Sequence, residues 1–392
     1  MRPSRRSQIA PFIAMDVLEE ANARAAAGQD VLHLEVGEPA GGAPPAAIAA
    51  ARRALERPQT LGYTEALGIP PLRQRIAAHY LERYGIELAP RDVAVTTGAS
   101  GAFVLAFLAA FDVGQRVALA APGYPCYRNI LEALGIEPVI VATTLEERFQ
   151  PTPARLEHIG PLDGLLIASP ANPTGSMLHE SELAELAAFC RARKIRIVSD
   201  EIYHGITYEK PASTMLAYDR SAIVISGFSK YFCMTGWRLG WMVVPADLQE
   251  AVLRLAQNLF IAPATVSQMA ALAVFDERER LDARVAVYRR NRDRLLEALR
   301  EGGIERVAPP EGAFYLYADV SDFAANSAEF CASLLADTGI AITPGTDFDP
   351  QRGDRYVRLS FAGSEEVIAE AGRRLVPWLR QRAASRGPRD LS

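Results

Sequence analysis

Residues 226–240, SGFSKYFCMTGWRLG, set a single lysine, Lys230, among small and aromatic residues, with Arg238 eight positions further on. The apolar run Ala222-Ile223-Val224-Ile225 leads straight into it. Lysines ordinarily occupy solvated faces, so one placed at the end of a strand is expected to hold its amine in a cleft. Other chemically able groups follow apolar runs in the same way. Ala99 and Ser100 come behind Gly98, Tyr124 lies in Pro-Gly-Tyr-Pro, Asn172 in Asn-Pro-Thr-Gly, and Asp200 in Asp-Glu-Ile-Tyr, which also carries Tyr203. An amine, a carboxylate, an amide, phenols and a guanidinium are the parts of a site that bonds covalently through the amine, moves protons and grips an anion.

For these groups to meet, the runs before them must be strands of one sheet. Residues 93–96, 117–120, 138–142, 165–168, 195–199, 222–225 and 241–244 are short and apolar. Helical patterns over 100–111, 129–134 and 182–193 lie between them. Such alternation predicts an α/β core of the doubly wound kind, a mostly parallel sheet flanked by helices and buried on both faces. The carboxyl ends of parallel strands share one edge, and ligands bind there. Near Phe275 the texture changes. Residues 276–301 are highly charged with helical periodicity, and Gly302-Gly303 closes them. Strands are expected near 314–318, 340–343 and 356–360, then a last helix with Ser364 as N-cap and Glu365 and Glu366 in its first turn. This part reads as a smaller α+β domain. The tail 387–392 is expected to be disordered.

Composition bounds the function. The 392 residues are 49% hydrophobic and 23% charged, the mix of a globular protein with a sizeable core. A net charge of −5 gives no basis for binding nucleic acid or an anionic membrane. No apolar run has the length of a signal peptide core or a membrane span. The four cysteines form no Cys-x-x-Cys pair and the five histidines show no ligand spacing. No metal is expected, and a reduced, cytoplasmic setting is.

The chemistry that suits the constellation is that of a pyridoxal phosphate site. The lysine would bond to the cofactor aldehyde and shuttle protons, and a carboxylate would keep the pyridine nitrogen protonated. Amide and phenol would hydrogen-bond the ring oxygen, an aromatic ring would stack on the cofactor, and the phosphate would take a helix N-terminus, hydroxyls and an arginine. Taken singly, each residue has a plainer reading. Arg358 in a strand reads as a surface or ion-paired arginine, Tyr63 as a half-buried tyrosine, Asp200 as a helix cap, and Gly98 to Ser100 as an ordinary helix start.

The order of the motifs resembles the class I/II aminotransferases of pyridoxal phosphate fold type I, over nearly the whole chain. Gly37-Glu38-Pro39 comes first, then Tyr63-Thr64-Glu65-Ala66-Leu67-Gly68 with Leu72-Arg73, then Gly98-Ala99-Ser100, Tyr124 and Asn172-Pro173-Thr174-Gly175. Asp200-Glu201-Ile202-Tyr203, Ser229-Lys230, Gly236-Trp237-Arg238-Leu239-Gly240 and Arg358-Leu359-Ser360-Phe361 complete the series. The resemblance implies that Lys230 is the Schiff-base lysine, Asp200 the pyridinium partner, Asn172 and Tyr203 the ring-oxygen donors and Tyr124 the stacking ring. It implies that Ala99, Ser100 and Arg238 hold the phosphate, that Ser229 belongs to the cofactor site, and that Arg358, Gly37 and Asn172 receive the substrate carboxylate. Tyr63 would reach the phosphate of a partner subunit, which implies a homodimer with composite sites. The same resemblance implies a large cofactor-binding domain over 46–284 and a small domain built from 1–45 and 285–392.

Two departures from the family pattern stand out. Gly227 occupies the place of a phosphate-binding serine, for which Ser226 or Ser229 would have to substitute. Ala40-Gly41-Gly42 follows Gly-Glu-Pro where many members carry aspartate-phenylalanine. The expected reaction moves an amino group from an L-amino acid to a 2-oxo acid such as 2-oxoglutarate or pyruvate, with ping-pong kinetics. A carbon–sulfur β-lyase and an aspartate aminotransferase are the rivals within the fold. A non-catalytic regulator would need a DNA-binding module, for which the stretch before Gly37 is too short, and no Gly-x-Gly-x-x-Gly supports an oxidoreductase. Ser100 stands where some aspartate aminotransferases carry a lysine, residues 260–263 lack the arginine that others bring from the partner, and the apolar Ile9, Phe12 and Ile13 are expected to cover the site. Neutral or aromatic amino acids are therefore favoured.

Overall fold

A computed structural model of the chain describes residues 2–57 and 61–386. The expected disordered tail lies outside the described residues. A seven-stranded sheet organises the larger part. With β1 (Leu32–His33) set aside for the moment, its strands are β2 (Val93–Thr96), β3 (Arg116–Ala121), β4 (Glu137–Ala142), β5 (Gly164–Ala168), β6 (Arg196–Asp200), β7 (Ile223–Gly227) and β8 (Gly240–Val243). They lie in the order β2-β8-β7-β6-β5-β3-β4, and β8 alone runs against the rest.

The near-continuous apolar runs have a direct cause. Successive side chains leave opposite faces of a strand, and here both faces are buried. Val95, Leu165, Ile167, Ile197 and Val224 pack into one apolar cluster, while Ala94, Leu166, Val198, Ile223 and Ile225 pack into another across the sheet. Each strand end agrees with the expected one to within a residue or two, and the helices Gly98–Ala110, Pro125–Leu134 and Glu180–Arg193 each start a little earlier than their apolar pattern does.

A second layer of structure joins the two ends of the chain. β9 (Tyr315–Asp319), β11 (Thr343–Pro344) and β12 (Tyr356–Ser360) form an antiparallel sheet in the order β11-β12-β9, while β10 (Ile340–Ala341) pairs in parallel with β1. The expected single strand over 340–343 is thus two short ones. It changes partner at Ile342, from β1 to β12, and ends at Pro344, which has no N–H to extend a ladder. The helix Arg278–Glu301 packs along Glu365–Arg386 and ends at Gly303 with φ +94, as the paired glycines predict. Ser364 Oγ accepts from Val367 N at 3.3 Å, the expected cap. Helices the periodicity did not single out include Ile13–Ala26, Pro45–Leu55, Pro70–Tyr84, Gln249–Leu259, Thr265–Leu272 and Ser327–Thr338. Among the described residues no helix is long and apolar enough to cross a membrane.

Candidate active site

The topology brings the chemistry to one edge. β3, β5, β6 and β7 all end there, delivering Tyr124, Asn172, Asp200 and Lys230 from the loops or from the last strand residue. The reversed strand β8 starts there, with Gly240 opposite both Thr96 and Gly227. Arg238, two residues before that start, therefore reaches the same edge as Ala99 and Ser100, which open the helix after β2. A cavity of about 520 Å³ lies over this edge, within the usual range for a small-molecule site. Eleven of the twelve expected site residues line it: Gly37, Ala99, Ser100, Tyr124, Asn172, Asp200, Tyr203, Ser229, Lys230, Arg238 and Arg358. The twelfth, Tyr63, does not line it and is 91% exposed.

Lys230 Nζ donates to Gly37 O at 2.8 Å. Burial, with Arg358 nearby, lowers its pKa to about 8. Burial raises the Asp200 carboxyl to about 6, although Tyr127 Oη donates to Oδ2 and Ile202 N donates to Oδ1 at 3.0 Å. Tyr203 Oη lies 2.8 Å from Tyr315 Oη. Arg358 is 2% exposed. Its Nη1 donates to Asn172 Oδ1 at 2.9 Å and its Nη2 to Thr343 Oγ1 at 3.2 Å and to Glu35 O. The rings of Tyr315 and Phe348 lie 4.5 and 4.7 Å from its Cζ. Its Nε is buried without a partner among the described residues, a free donor in a charged fork.

Close approach explains the glycines. A Cβ on Gly37 would lie 1.7 Å from Tyr315 Oη, and one on Gly98, at φ +73, would lie 2.8 Å from Arg238 Nη2. The two serines near Gly227 lie in different places. Ser229 lines the cavity, whereas Ser226 is buried within β7 and donates to Glu201 O at 3.3 Å. Of the three apolar residues expected as a cover, Phe12 lines the cavity. Ile9 and Ile13 do not, and Ala14 and Met15 do instead, because the chain turns into a helix at Ile13 and re-aims its side chains. Gly41 and Gly42 both take positive φ, and Arg284 Nη1 holds the turn through Ala40 O and Gly42 O.

Sequence reasoning missed Tyr127, Tyr315 and Glu35. Glu35 is fully buried and lines the cavity, with Oε1 on His33 Nδ1 at 2.8 Å and Oε2 without a partner among the described residues. Tyr127 lies one helical turn beyond Tyr124, so the spacing of those two tyrosines was the available signal.

These groups fit pyridoxal phosphate. A buried amine and a buried carboxylate face one cavity, and beside them Arg238 and the first turn of a helix meet at Gly98, whose φ of +73 L side chains rarely adopt. The family model for aminotransferase class I and II matches residues 29–375. The chain is 50% identical over 383 residues to the valine–pyruvate aminotransferase of Mycobacterium tuberculosis, covering 96% of this chain and 98% of that one. It is 34% identical over 351 residues to the aspartate/prephenate aminotransferase of Thermus thermophilus, covering 88% of this chain and 90% of that one. Among solved structures, an aminotransferase from M. tuberculosis superposes with a TM-score of 0.95 at 50% identity, over 97% of this chain and 100% of that one. The aspartate aminotransferase of T. thermophilus with maleate superposes at 0.90 and 33%, over 96% and 100%. The chain belongs to the class I and II aminotransferases, fold type I enzymes that use pyridoxal 5'-phosphate to move an amino group from an amino acid to a 2-oxo acid.

Proposed function

We propose that the protein transfers the amino group of a neutral, apolar L-amino acid of the size of valine to pyruvate or 2-oxoglutarate, in two ping-pong half-reactions. One observation carries the choice of substrate. Among the described residues, the cations lining the cavity are Lys230, Arg238 and Arg358, and each has a task that every amino acid requires. None is left for a second carboxylate, and Phe12, Met15, Phe103 and Ile130 supply an apolar wall. The 50% identity to a valine–pyruvate aminotransferase points the same way.

On this reading Asp200 holds the ring nitrogen, Asn172 and Tyr203 hold the ring oxygen, and Tyr124 lies on the ring face. The amide of Ala99, the hydroxyls of Ser100 and Ser229, and Arg238 hold the phosphate. Bound there, pyridoxal phosphate supplies a ring that accepts the electron pair left when the α-proton departs. Arg358 takes the substrate carboxylate through its fork, assisted by Asn172 and the backbone of Gly37, and so orients the α-C–H bond. Lys230 is the general base. With its pKa brought to about 8, a useful fraction of its amine is free to take the α-proton near neutral pH and give it back.

Tyr63 reaches the phosphate of a partner subunit, making a homodimer with composite sites in the cytoplasm. The chain divides into a cofactor-holding unit, 46–284, and a second unit of 1–45 and 285–392. A panel of amino donors with pyruvate and 2-oxoglutarate as acceptors tests the substrate. Valine and its neutral relatives should lead. Aspartate as the best donor would refute the choice, and pyruvate released from cystathionine without an acceptor would mark a β-lyase instead.

A further inference from the structure

The helix Ile13–Ala26 carries no cap of its own: Phe12 stands at its N-cap and offers no side-chain hydrogen bond. Helix ends with unsatisfied amides need a partner. Here one side chain from the far end of the chain supplies it. Asp347 Oδ1 accepts from Ile13 N and Oδ2 from Ala14 N, each at 3.1 Å, across 334 and 333 residues of sequence. Asp347 is buried. Burial pushes its carboxyl up, against the two amides and the charges of Arg358 and Arg128. Upstream, Asn129 Nδ2 donates to Ala10 O at 3.2 Å. The short segment between these two anchors holds Phe12, whose ring meets Tyr124 edge-on at 5.7 Å. Phe12, Ala14 and Met15 all line the cavity.

The position of Asp347 links this cap to the substrate's other end. The next residue, Phe348, lies under Arg358 at 4.7 Å, and Phe348 O accepts from Gly123 N at 3.0 Å, beside Tyr124. The element that holds the cap thus also touches the carboxylate clamp and the loop of the stacking tyrosine.

We infer that Asp347 is a positioning residue for substrate selection: by capping the helix Ile13–Ala26 it fixes Phe12 and Met15 as the apolar face against which the substrate's side chain is chosen. This inference rests on the proposed transfer between neutral amino acids. Phe12 and Met15 make the contact. Asp347 acts through them and touches neither substrate nor cofactor. The selectivity should therefore lie in a turn of backbone that a single carboxylate immobilises, and should fall when either oxygen loses its amide.

Two variants weaken the same cap from opposite sides in the holoenzyme. Asp347→Asn leaves one acceptor oxygen and turns an amide nitrogen toward a backbone N–H. Ile13→Pro removes the donor while keeping a residue suited to the first position of a helix, after a Phe12 whose extended backbone tolerates it. Half-reactions with valine and with alanine are compared by single-turnover absorbance. Both variants should raise the half-saturating valine concentration about tenfold, equivalent to about 1.4 kcal/mol, with the limiting half-reaction rate changed about twofold or less and both alanine values held within about twofold. Phe12→Ala gives the loss of valine-over-alanine preference that the pair must reproduce. Equal losses for valine and alanine, or no change in either variant that folds, would overturn the role of Asp347. Wild-type enzyme that fails to take valine at all would instead overturn the proposed substrate.

Discussion

Arg358 offers the most direct measurement of how the site grips its substrate. The residue is 2% exposed, its Nη1 and Nη2 are spoken for by Asn172, Thr343 and Glu35, and Nε is free. A substrate carboxylate arriving there leaves water and must be matched by charge. Removing the guanidinium by Arg358→Ala would leave that carboxylate buried and unpaired, a loss of about 3–5 kcal/mol. At about 1.4 kcal/mol per decade this is roughly 10²- to 10⁴-fold in kcat/KM. Arg358→Lys keeps the charge but exchanges a planar fork for a point. It should lose about one charge-assisted hydrogen bond, about 1.5–3 kcal/mol, or roughly 10- to 150-fold. The assay is the single-turnover absorbance change of holoenzyme with an amino acid, set beside the same change with the corresponding amine, which lacks the carboxylate. The amine should react slowly with all three proteins and nearly equally. Equal losses for amine and amino acid, or a lysine variant that matches wild type, would show that Arg358 merely holds Asn172 and Glu35 in place.

Lys230→Ala should abolish turnover and the borohydride-reducible link between cofactor and chain; a mutant that keeps the link is bonded through another amine. Asp200→Ala should retain that link and lose most of the half-reaction rate, and a rate within a few-fold of wild type would exclude its pairing with the ring nitrogen. Mixing Tyr63→Phe with Lys230→Ala subunits should raise activity per intact lysine above that of the Tyr63→Phe homodimer, by about the worth of one charge-assisted hydrogen bond, 1.5–3 kcal/mol at most; no gain after proven subunit exchange would place Tyr63 outside the partner's site. Burial raises the Glu201 carboxyl to about 7 from an ordinary 4.5, so the stability present below pH 4.5 is lost as pH rises through 7, by about 3 kcal/mol. Glu201→Gln should flatten the change in urea midpoint between pH 4.5 and 8, and an unchanged slope would mean that other groups dominate.

Much of this was legible in the sequence because the sheet is buried on both faces. Apolar runs such as Leu165-Leu166-Ile167 announce strands, and whatever follows them falls on one edge. Asp200, Lys230 and Asn172 could be placed that way without any knowledge of side-chain contacts. Tyr315 could not, since its partner, Tyr203, lies 112 residues away. Arg358 was found by motif, yet its grip on Glu35 depends on the pairing of β12 with the segment after β1, which Ser360 N makes through Leu34 O at 2.8 Å. Ser226 and Ser229 differ in place, the first within β7 and bonded to Glu201 O, the second in the loop beyond it at the cavity, and telling them apart required the strand's end.

The bond between Arg358 and Glu35 spans 323 residues, and that between Lys230 and Gly37 spans 193. Ribosomes add about 5–20 residues per second, so the strands of the large sheet emerge as a block well before residue 358. Lys230, Asp200 and Arg238 can then be assembled on a nascent chain while the carboxylate clamp is still unmade. Gly37 and Glu38 meet Lys230 and Thr235 as soon as those residues emerge, but the carbonyl of Glu35, synthesised early, must wait for Thr343 and Arg358. A chain halted between β8 and β12 would hold Lys230, Asp200 and Arg238 together but lack Arg358, which on the proposed reading orients the amino acid. Birth order thus places the cluster of Lys230, Asp200 and Arg238 ahead of the contact between Arg358 and Glu35.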